Sequence, residues 1–76
     1  MHSHQIPLAM AGSGRKVRLV SVSGGRAFCS HLAALGLIPG VEFEVKRNAP
    51  GGPFILGLKG GQLVIGRGMA QKILVS

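Results

Sequence analysis

The stretch Leu32-Ala-Ala-Leu-Gly-Leu-Ile-Pro-Gly40 decides the fold, because it ends a helix and begins a strand within nine residues. Phe28, Leu32 and Leu35 recur at i, i+4 and i+7, the spacing that gathers apolar side chains on one face of a helix. Gly36 follows as a residue that adopts positive φ without a Cβ clash, which is typical of a helix C-terminus. The stretch therefore predicts a short helix that packs on a core and stops at Gly36.

The residues after Gly36 complete the helix stop and start a strand. A Schellman stop would bring Leu37 back against Leu32. Pro39-Gly40 supplies the fixed φ and the positive φ of a type II turn. Residues 41–46 then alternate apolar and charged side chains, which is the pattern of a half-buried strand.

Length and composition predict one small β domain. A chain of 76 residues supports a single core, so residues 1–76 are expected to form one domain in which residues 1–6 are flexible. The chain contains 13 Gly and 4 Pro, which implies many tight turns between short apolar runs. With one helix over residues 26–35, this pattern favours a mainly β fold, a small, strongly curved β-barrel of about five strands with one short inserted helix.

Five strands and their connections can be placed on the sequence. The strands are predicted at residues 17–22, 41–47, 54–59, 62–66 and 72–75. In the first strand the apolar phase slips by one near Leu19-Val20, which predicts a β-bulge. Residues 48–53 predict a hairpin turn, Gly60-Gly61 a primed two-residue turn, and residues 67–70 a single 3-10 turn.

Three of these strands are apolar on both faces. The residues expected to point outward are Ile55, Val64 and Leu74. A barrel this small has one interior, so these side chains are either covered or exposed as a contact patch. The helix and the N-terminal segment, anchored by Leu8, would provide the cover. The sequence leaves both arrangements open.

Cysteine usage and hydropathy favour a cytoplasmic location. Cys29 is the only cysteine, and no Cys/His spacing typical of zinc occurs, so a reducing compartment fits the chain. No apolar run approaches the ~20 residues of a membrane span. The first fourteen residues contain no Lys or Arg, unlike the start of a signal peptide. We therefore expect a soluble chain that is not exported.

The charge balance is strongly basic. Nine Lys and Arg against two Glu give a formal net charge of +7. Such a charge favours an anionic partner, for example nucleic acid, a lipid surface or an acidic protein patch. The cations are spread along the chain without a dense run, so a surface that is simply solvated is an equal alternative.

A series of short motifs runs along the chain. In order they are Pro7-Leu8, Gly14, Val22-Ser23-Gly24-Gly25-Arg26, Leu32 with Leu35-Gly36-Leu37-Ile38-Pro39-Gly40, Ala49-Pro50-Gly51-Gly52-Pro53, Gly66-Arg67-Gly68-Met69-Ala70 and Ile73-Leu74-Val75. Together these motifs resemble the FeoA family, small cytoplasmic accessory proteins of bacterial ferrous-iron uptake. The resemblance covers nearly the whole chain. It implies an SH3-like β-barrel with an inserted helix and a regulatory role. It also implies a partner, FeoB, the membrane protein that joins a GTP-binding domain to an iron permease.

Chemically reactive side chains do not combine into a catalytic, cofactor or metal site. The residues that resemble iron ligands are His2, His4, Cys29 and His31. Cys29 and His31 are two apart on a helix, about 200° around its axis, and do not face one another. Glu42 and Glu44 share a strand face with Lys46, which favours ion pairing over a bound cation. Because the sequence offers no pair of side chains for general acid-base catalysis, we expect that the chain is not an enzyme and needs no cofactor.

The leading hypothesis is a non-catalytic module that docks on FeoB and modulates its transport or GTPase activity. The predicted partner-binding residues are Leu37, Ile38, Pro39, Arg26 and Arg47. Ile38, at the tip of the turn, is the expected anchor of an apolar patch with a cationic rim. Association of the chain with itself through the apolar strands is left open.

The alternative hypothesis is a small basic β-barrel that binds nucleic acid through phosphate contacts. Only the net charge supports it. The chain has no Trp or Tyr, and its three Phe are expected in the core, so bases would find no ring to stack on. A receptor for Pro-rich peptides is disfavoured for the same reason, since such grooves are lined with aromatic side chains.

Overall fold

The computed structural model describes residues 5–76, which contain six strands, two helices and one 3-10 turn. The strands are β1 (Ile6–Pro7), β2 (Lys16–Val22), β3 (Glu42–Asn48), β4 (Phe54–Leu58), β5 (Gly61–Ile65) and β6 (Ile73–Val75). The helices are α1 (Arg26–Ala34) and α2 (Arg67–Ala70), and the 3-10 turn spans Leu8–Met10. The fold is mainly β and SH3-like, as predicted.

The six strands form one antiparallel sheet in the order β1-β6-β2-β3-β4-β5. The register shifts between Leu19 and Ser21 where β2 pairs with β6, which confirms the predicted bulge. A second shift lies in β3 between Val45 and Arg47, where no bulge was predicted. Both bulges bend the sheet and change which side chains point outward.

Alternate residues along the strands point inward and form the core. The buried residues are Leu8, Ala11, Val17, Leu19, Leu32, Leu37, Phe43, Val45, Phe54, Leu56, Ile65, Ala70, Ile73 and Val75. Leu8 is fully buried, which confirms it as the anchor of the N-terminal segment. From α1 only Leu32 is fully buried, with Phe28 packed partly against the core. The helix therefore lies on the sheet through a narrow apolar contact and leaves most of its surface open.

The end of α1 has the predicted Schellman geometry. Gly36 has φ +96°, its N–H donates to Ala33 O at 3.0 Å, and the N–H of Leu37 donates to Leu32 O at 2.9 Å. Leu37 and Leu32 both lie in the core. Leu35, expected on the buried face, is 37% exposed. It is the C-cap residue, where the chain already turns away from the core.

The next turn is of the predicted type II. Gly40 has φ +94°, and the N–H of Val41 donates to Ile38 O at 3.1 Å. Two further backbone bonds attach the turn to β2: Gly40 N–H donates to Leu19 O at 2.8 Å, and Leu19 N–H donates to Val41 O at 2.9 Å. The tip of the turn is therefore held in a fixed position beside the sheet.

Replacing Gly36 with alanine is expected to lower the free energy of unfolding by about 1–2 kcal/mol. A Cβ at this residue meets no neighbouring atom, so the cost comes from holding an L-residue at positive φ. Urea denaturation followed by circular dichroism measures the change. Gly68→Ala is the matched control, because Gly68 lies within α2 with open space around it, and the change there is expected to be neutral or stabilising. Equal losses from the two variants would contradict the role of positive φ.

Several sequence-based boundaries need correction. Ile6 pairs with Val75 in a sixth strand, so the predicted flexible segment does not reach residue 6. Residues 1–4 of that segment lie outside the described residues. The β4–β5 turn is Lys59-Gly60, because Leu58 pairs with Gly61, and only Gly60 of these has positive φ. Type I′ and II′ turns need positive φ at their first central residue, which here is Lys59, so the predicted primed turn is wrong.

The predicted 3-10 turn at residues 67–70 is instead one turn of α-helix. The N–H of Ala70 donates to Gly66 O and the N–H of Gln71 donates to Arg67 O, both at 3.1 Å. These are i to i−4 bonds, the α-helical pattern. The short helix places Ala70 in the core and Arg67 against the β3–β4 turn.

Candidate functional site

A groove lies between the end of β2, one face of α1 and the turn that follows the helix. Its volume is about 470 Å³. It is lined by Ser21, Val22, Cys29, Ser30, Ala33, Leu37, Ile38 and Pro39. We call it the Ile38 groove. Its walls are mostly apolar, and it is larger than a second concave region of about 290 Å³ beside Lys16 and Gly57.

Small side chains leave the space that the Ile38 groove occupies. Ser30 and Ala33 come from α1, and Ser21 comes from β2, so none of the three reaches far across the gap. Leu32, one position away on α1, points to the core and holds the helix in place. A helix with a larger residue at position 33 would fill the groove with its own side chain.

The turn supplies an exposed large aliphatic side chain to the groove. Ile38 is 49% exposed and Leu37 is 1% exposed, although the two are neighbours. Leu37 therefore belongs to the core, although it also forms part of the groove wall, and its contact role stays a prediction. Pro39 is exposed at the rim beside Ile38. The backbone bonds of the turn fix both side chains relative to β2.

The two predicted rim cations lie in different places. Arg26 is the first residue of α1 and shares a helical face with Ser30 and Ala33, at i, i+4 and i+7. Arg47 lies on β3 opposite Ile55 and does not line the groove. The sequence hypothesis treated these cations as one rim, whereas the structure brings only Arg26 to the helix face of the groove.

The outward apolar residues do not form one patch with Ile38. Val64 is 61% exposed and lies directly opposite Ile55, which is half-buried. Leu74 is half-buried on β6, which is not a neighbour of β5 in the sheet. Two separate apolar surfaces result: the Ile38 groove, and the Ile55–Val64 pair on the outer face of the sheet.

Both carboxylates form ion pairs with cations, as predicted. Arg18 donates from Nη2 to Glu42 Oε2 at 2.8 Å, and Lys46 Nζ lies 3.7 Å from Glu44 Oε1. The hydrogen bond and the charge of Arg18 hold the pKa of Glu42 below its usual value. Neither carboxylate lines the Ile38 groove.

No three His, Cys, Asp or Glu side chains within residues 5–76 lie close enough together to hold a metal ion. Cys29 is half-buried, with its Sγ 3.9 Å from Val22 O. His31 is exposed on α1. His2 and His4 lie outside the described residues.

The phenylalanine rings are not presented for base stacking. Phe43 and Phe54 are buried in the core. Phe28 is half-buried, and Lys72 Nζ lies 5.2 Å from its ring centroid. The aromatic platform that a single-strand binder needs is therefore not formed by these rings.

A polar network beside the core was not found by sequence reasoning. The Asn48 side-chain amide donates to Ala11 O at 2.7 Å and to Ala9 O at 3.3 Å, and its oxygen accepts from Arg67 Nη2 at 2.9 Å. Arg67 also donates to Ala49 O at 2.8 Å, and its guanidinium carbon lies 4.7 Å from the Phe54 ring centroid. The network joins the N-terminal segment to the β3–β4 turn and α2, so Arg67 is a structural cation.

Comparison with known proteins identifies the family. The family model described as "FeoA domain" matches residues 6–76. The chain belongs to the FeoA family. A relative from Methanocaldococcus jannaschii, named "Putative Fe(2+) transport protein A", is 38% identical over 69 residues, which cover 91% of this chain and 83% of the relative.

Solved FeoA structures share the fold. The crystal structure of an "Iron Uptake Regulatory Protein (FeoA)" superposes with a TM-score of 0.88 at 33% identity, covering 95% of this chain and 96% of that one. The solution structure of FeoA from Chlorobium tepidum gives a TM-score of 0.82 at 31% identity, covering 92% of this chain and 68% of that one. Membership of the FeoA family implies a role in ferrous iron transport. Across residues 5–76, no helix is long and apolar enough to cross a membrane.

Proposed function

We propose that this chain is a non-catalytic cytoplasmic accessory protein that binds the transporter FeoB and modulates its transport or GTPase activity. The Ile38 groove is the docking surface. Its occupant is an apolar side chain on an acidic cytoplasmic segment of FeoB. The observation that carries the proposal is Ile38 itself, an aliphatic side chain that is 49% exposed at the edge of a mostly apolar groove.

The fixed geometry of the turn supports this use of Ile38. The type II turn is attached to β2 by two backbone hydrogen bonds with Leu19, one at Gly40 and one at Val41. A contact surface that is already ordered loses little conformational entropy on binding, so more of the contact energy appears as affinity. The residues that carry most of the binding energy of an interface lie in well-packed, desolvated pockets.

Charge supports an acidic occupant. The formal net charge is +7, and both carboxylates are engaged by Arg18 and Lys46 on the outer face of the sheet. Arg26 lies at the end of the α1 face that lines the groove. An acidic segment would therefore meet a positive field at the groove and no unpaired carboxylate of the described chain.

Changing Ile38 to Asp is expected to weaken binding to FeoB by at least about 30-fold, because a charge would replace the exposed apolar side chain proposed as the anchor. Isothermal titration of the purified cytoplasmic part of FeoB into the variant measures the affinity. The GTPase rate of FeoB with and without the variant shows whether modulation is lost together with binding. Ile38 is not one of the buried core residues, so the thermal midpoint should stay within a few degrees of the wild type.

Val64→Asp is the matched control. It introduces the same charge at an aliphatic residue that is 61% exposed and lies outside the groove. We expect the control to bind FeoB within about twofold of the wild type, since rim and remote positions contribute little. Unchanged affinity of the Ile38 variant, or equal losses in the two variants, would reject the groove as the docking surface.

A further inference from the structure

We propose that the outer face of β3, β4 and β5 binds an anionic lipid surface. The face consists of Lys46, Arg47, Ile55 and Val64, and we call it the Arg47 face. It is separate from the Ile38 groove, and the proposal goes beyond the docking on FeoB. It does not depend on that docking, because a lipid vesicle that carries no protein can test it.

The sheet register places an arginine beside two aliphatic residues. Arg47 lies directly opposite Ile55, and Ile55 lies directly opposite Val64. Residues directly opposite in antiparallel strands place their side chains on the same face of the sheet. The adjacent row, formed by Asn48, Phe54 and Ile65, points to the core side. The row Arg47–Ile55–Val64 is therefore an outward row that ends in the 61% exposed Val64.

The bulge in β3 adds a second cation to this face. The register shifts between Val45 and Arg47, so two consecutive residues, Lys46 and Arg47, are both exposed, whereas Val45 is fully buried. Gly57 on β4 leaves room for the Lys46 stem, because a Cβ there would lie 2.6 Å from Lys46 Cε. A regular strand would have turned one of the two cations toward the interior.

The carboxylates of the sheet offset the charge of Lys46 in part and leave that of Arg47. Glu44 lies 3.7 Å from Lys46 Nζ, and Glu42 is held by Arg18. In the described part of the chain Arg47 takes part in no ion pair. Lys59, in the β4–β5 turn, adds another exposed cation at the end of the same two strands.

A lipid surface matches the Arg47 face better than the other anionic or apolar partners do. Two copies of a chain with a net charge of +7 repel each other, which disfavours pairing through this face. Nucleic acid would use the cations but would leave the aliphatic side chains of Ile55 and Val64 without a partner. The interface of an anionic bilayer accepts both, since phosphate head groups attract Lys and Arg and the adjacent acyl boundary accepts small apolar side chains.

Sedimentation with vesicles tests the proposal. Wild-type protein is expected to bind vesicles that contain about a third phosphatidylglycerol and not to bind vesicles of phosphatidylcholine, because only the anionic surface attracts basic residues. The Lys46→Glu, Arg47→Glu double variant is expected to lower the partition coefficient at least about tenfold. Val64→Ser, which keeps the charge, is expected to lower it about twofold to fivefold through the lost apolar contact.

Arg26→Glu with Lys72→Glu is the matched control, because it makes the same change in net charge outside the Arg47 face. We expect the fold decrease of the partition coefficient in this control to be less than one third of the fold decrease in the Lys46 and Arg47 variant. Equal losses in the two double variants would show a general attraction by net charge and overturn the assignment of the face. Absence of vesicle binding together with tight RNA binding would also overturn it, in favour of a nucleic-acid surface. Titration of the same variants with FeoB tests the Ile38 groove separately.

Discussion

Replacing Phe54 with alanine is expected to lower the free energy of unfolding by about 3–5 kcal/mol. Phe54 is fully buried and is the largest such side chain in the described core. It pairs with Ile65 across β4 and β5, and its ring also lies under the Arg67 guanidinium at 4.7 Å. Truncation removes the buried ring, leaves a cavity and takes away the surface on which Arg67 packs.

The loss would be large for so small a domain. Native domains are stable by about 0.05–0.15 kcal/mol per residue, which makes this one marginal. Urea denaturation followed by circular dichroism gives the midpoint and the slope, and a two-state transition with an unchanged slope permits the comparison. Phe54→Leu keeps an apolar side chain and is expected to cost less than the alanine change. Val64→Ala, at an exposed residue, should stay within about 0.5 kcal/mol. A loss below about 1 kcal/mol for Phe54→Ala would contradict the assigned core.

Replacing Asn48 with alanine is expected to lower the free energy of unfolding by about 2–4 kcal/mol. The change removes the donors to Ala9 O and Ala11 O and the acceptor for Arg67 Nη2. Two backbone carbonyls and one guanidinium nitrogen would then lack these partners. Desolvated polar groups without partners cost about 1–3 kcal/mol each, less where water can reach them. The same denaturation experiment measures the effect.

Asn48→Asp distinguishes the donors from the acceptor. An aspartate still accepts from Arg67, but above its pKa it has no N–H for the two carbonyls of the N-terminal segment. The 2.7 Å distance to Ala11 O becomes an unfavourable contact between oxygens. We therefore expect Asn48→Asp to be destabilised as well, despite the new charge pair with Arg67. Wild-type stability in this variant would show that the bonds to Ala9 and Ala11 contribute nothing.

Local sequence patterns predicted those parts of the fold that short-range chemistry determines. Gly36 predicted the end of the helix and Pro39-Gly40 predicted a type II turn, because each of these structures requires particular φ values at those residues. The structure has both. The alternation of apolar residues shifts by one at Leu19-Val20, and this shift predicted a bulge because buried side chains must keep facing the core. The resemblance to the FeoA family supplied the SH3-like topology, which local patterns alone do not fix.

The errors concern residues whose state depends on distant partners. Ile6–Pro7 is too short to show a strand pattern and becomes one only by pairing with β6. Arg67 was one cation among nine in the sequence, whereas its partners, Asn48, Ala49 and Phe54, lie far away along the chain. The Lys59-Gly60 turn was misplaced by one residue because two adjacent glycines fit either position.

The candidate site was predicted in part. Ile38 was expected to be exposed at the tip of the turn, and it is. Leu37 was grouped with it, although the Schellman stop that the same residues predict requires that side chain in the core. Arg47 was placed near Ile38 because strand register cannot be read from charge spacing. The register instead assigns Arg47 to a separate outer face.

The central claim is that the Ile38 groove receives FeoB. Hydrogen exchange by NMR on the isotope-labelled chain, with and without the cytoplasmic part of FeoB, tests it most directly. The account predicts slower exchange and shifted signals at Ile38, Ala33 and Ser30, with little change at Val64 and Ile55. Shifts confined to Val64, Ile55 and Arg47, with the groove residues unaffected, would contradict it.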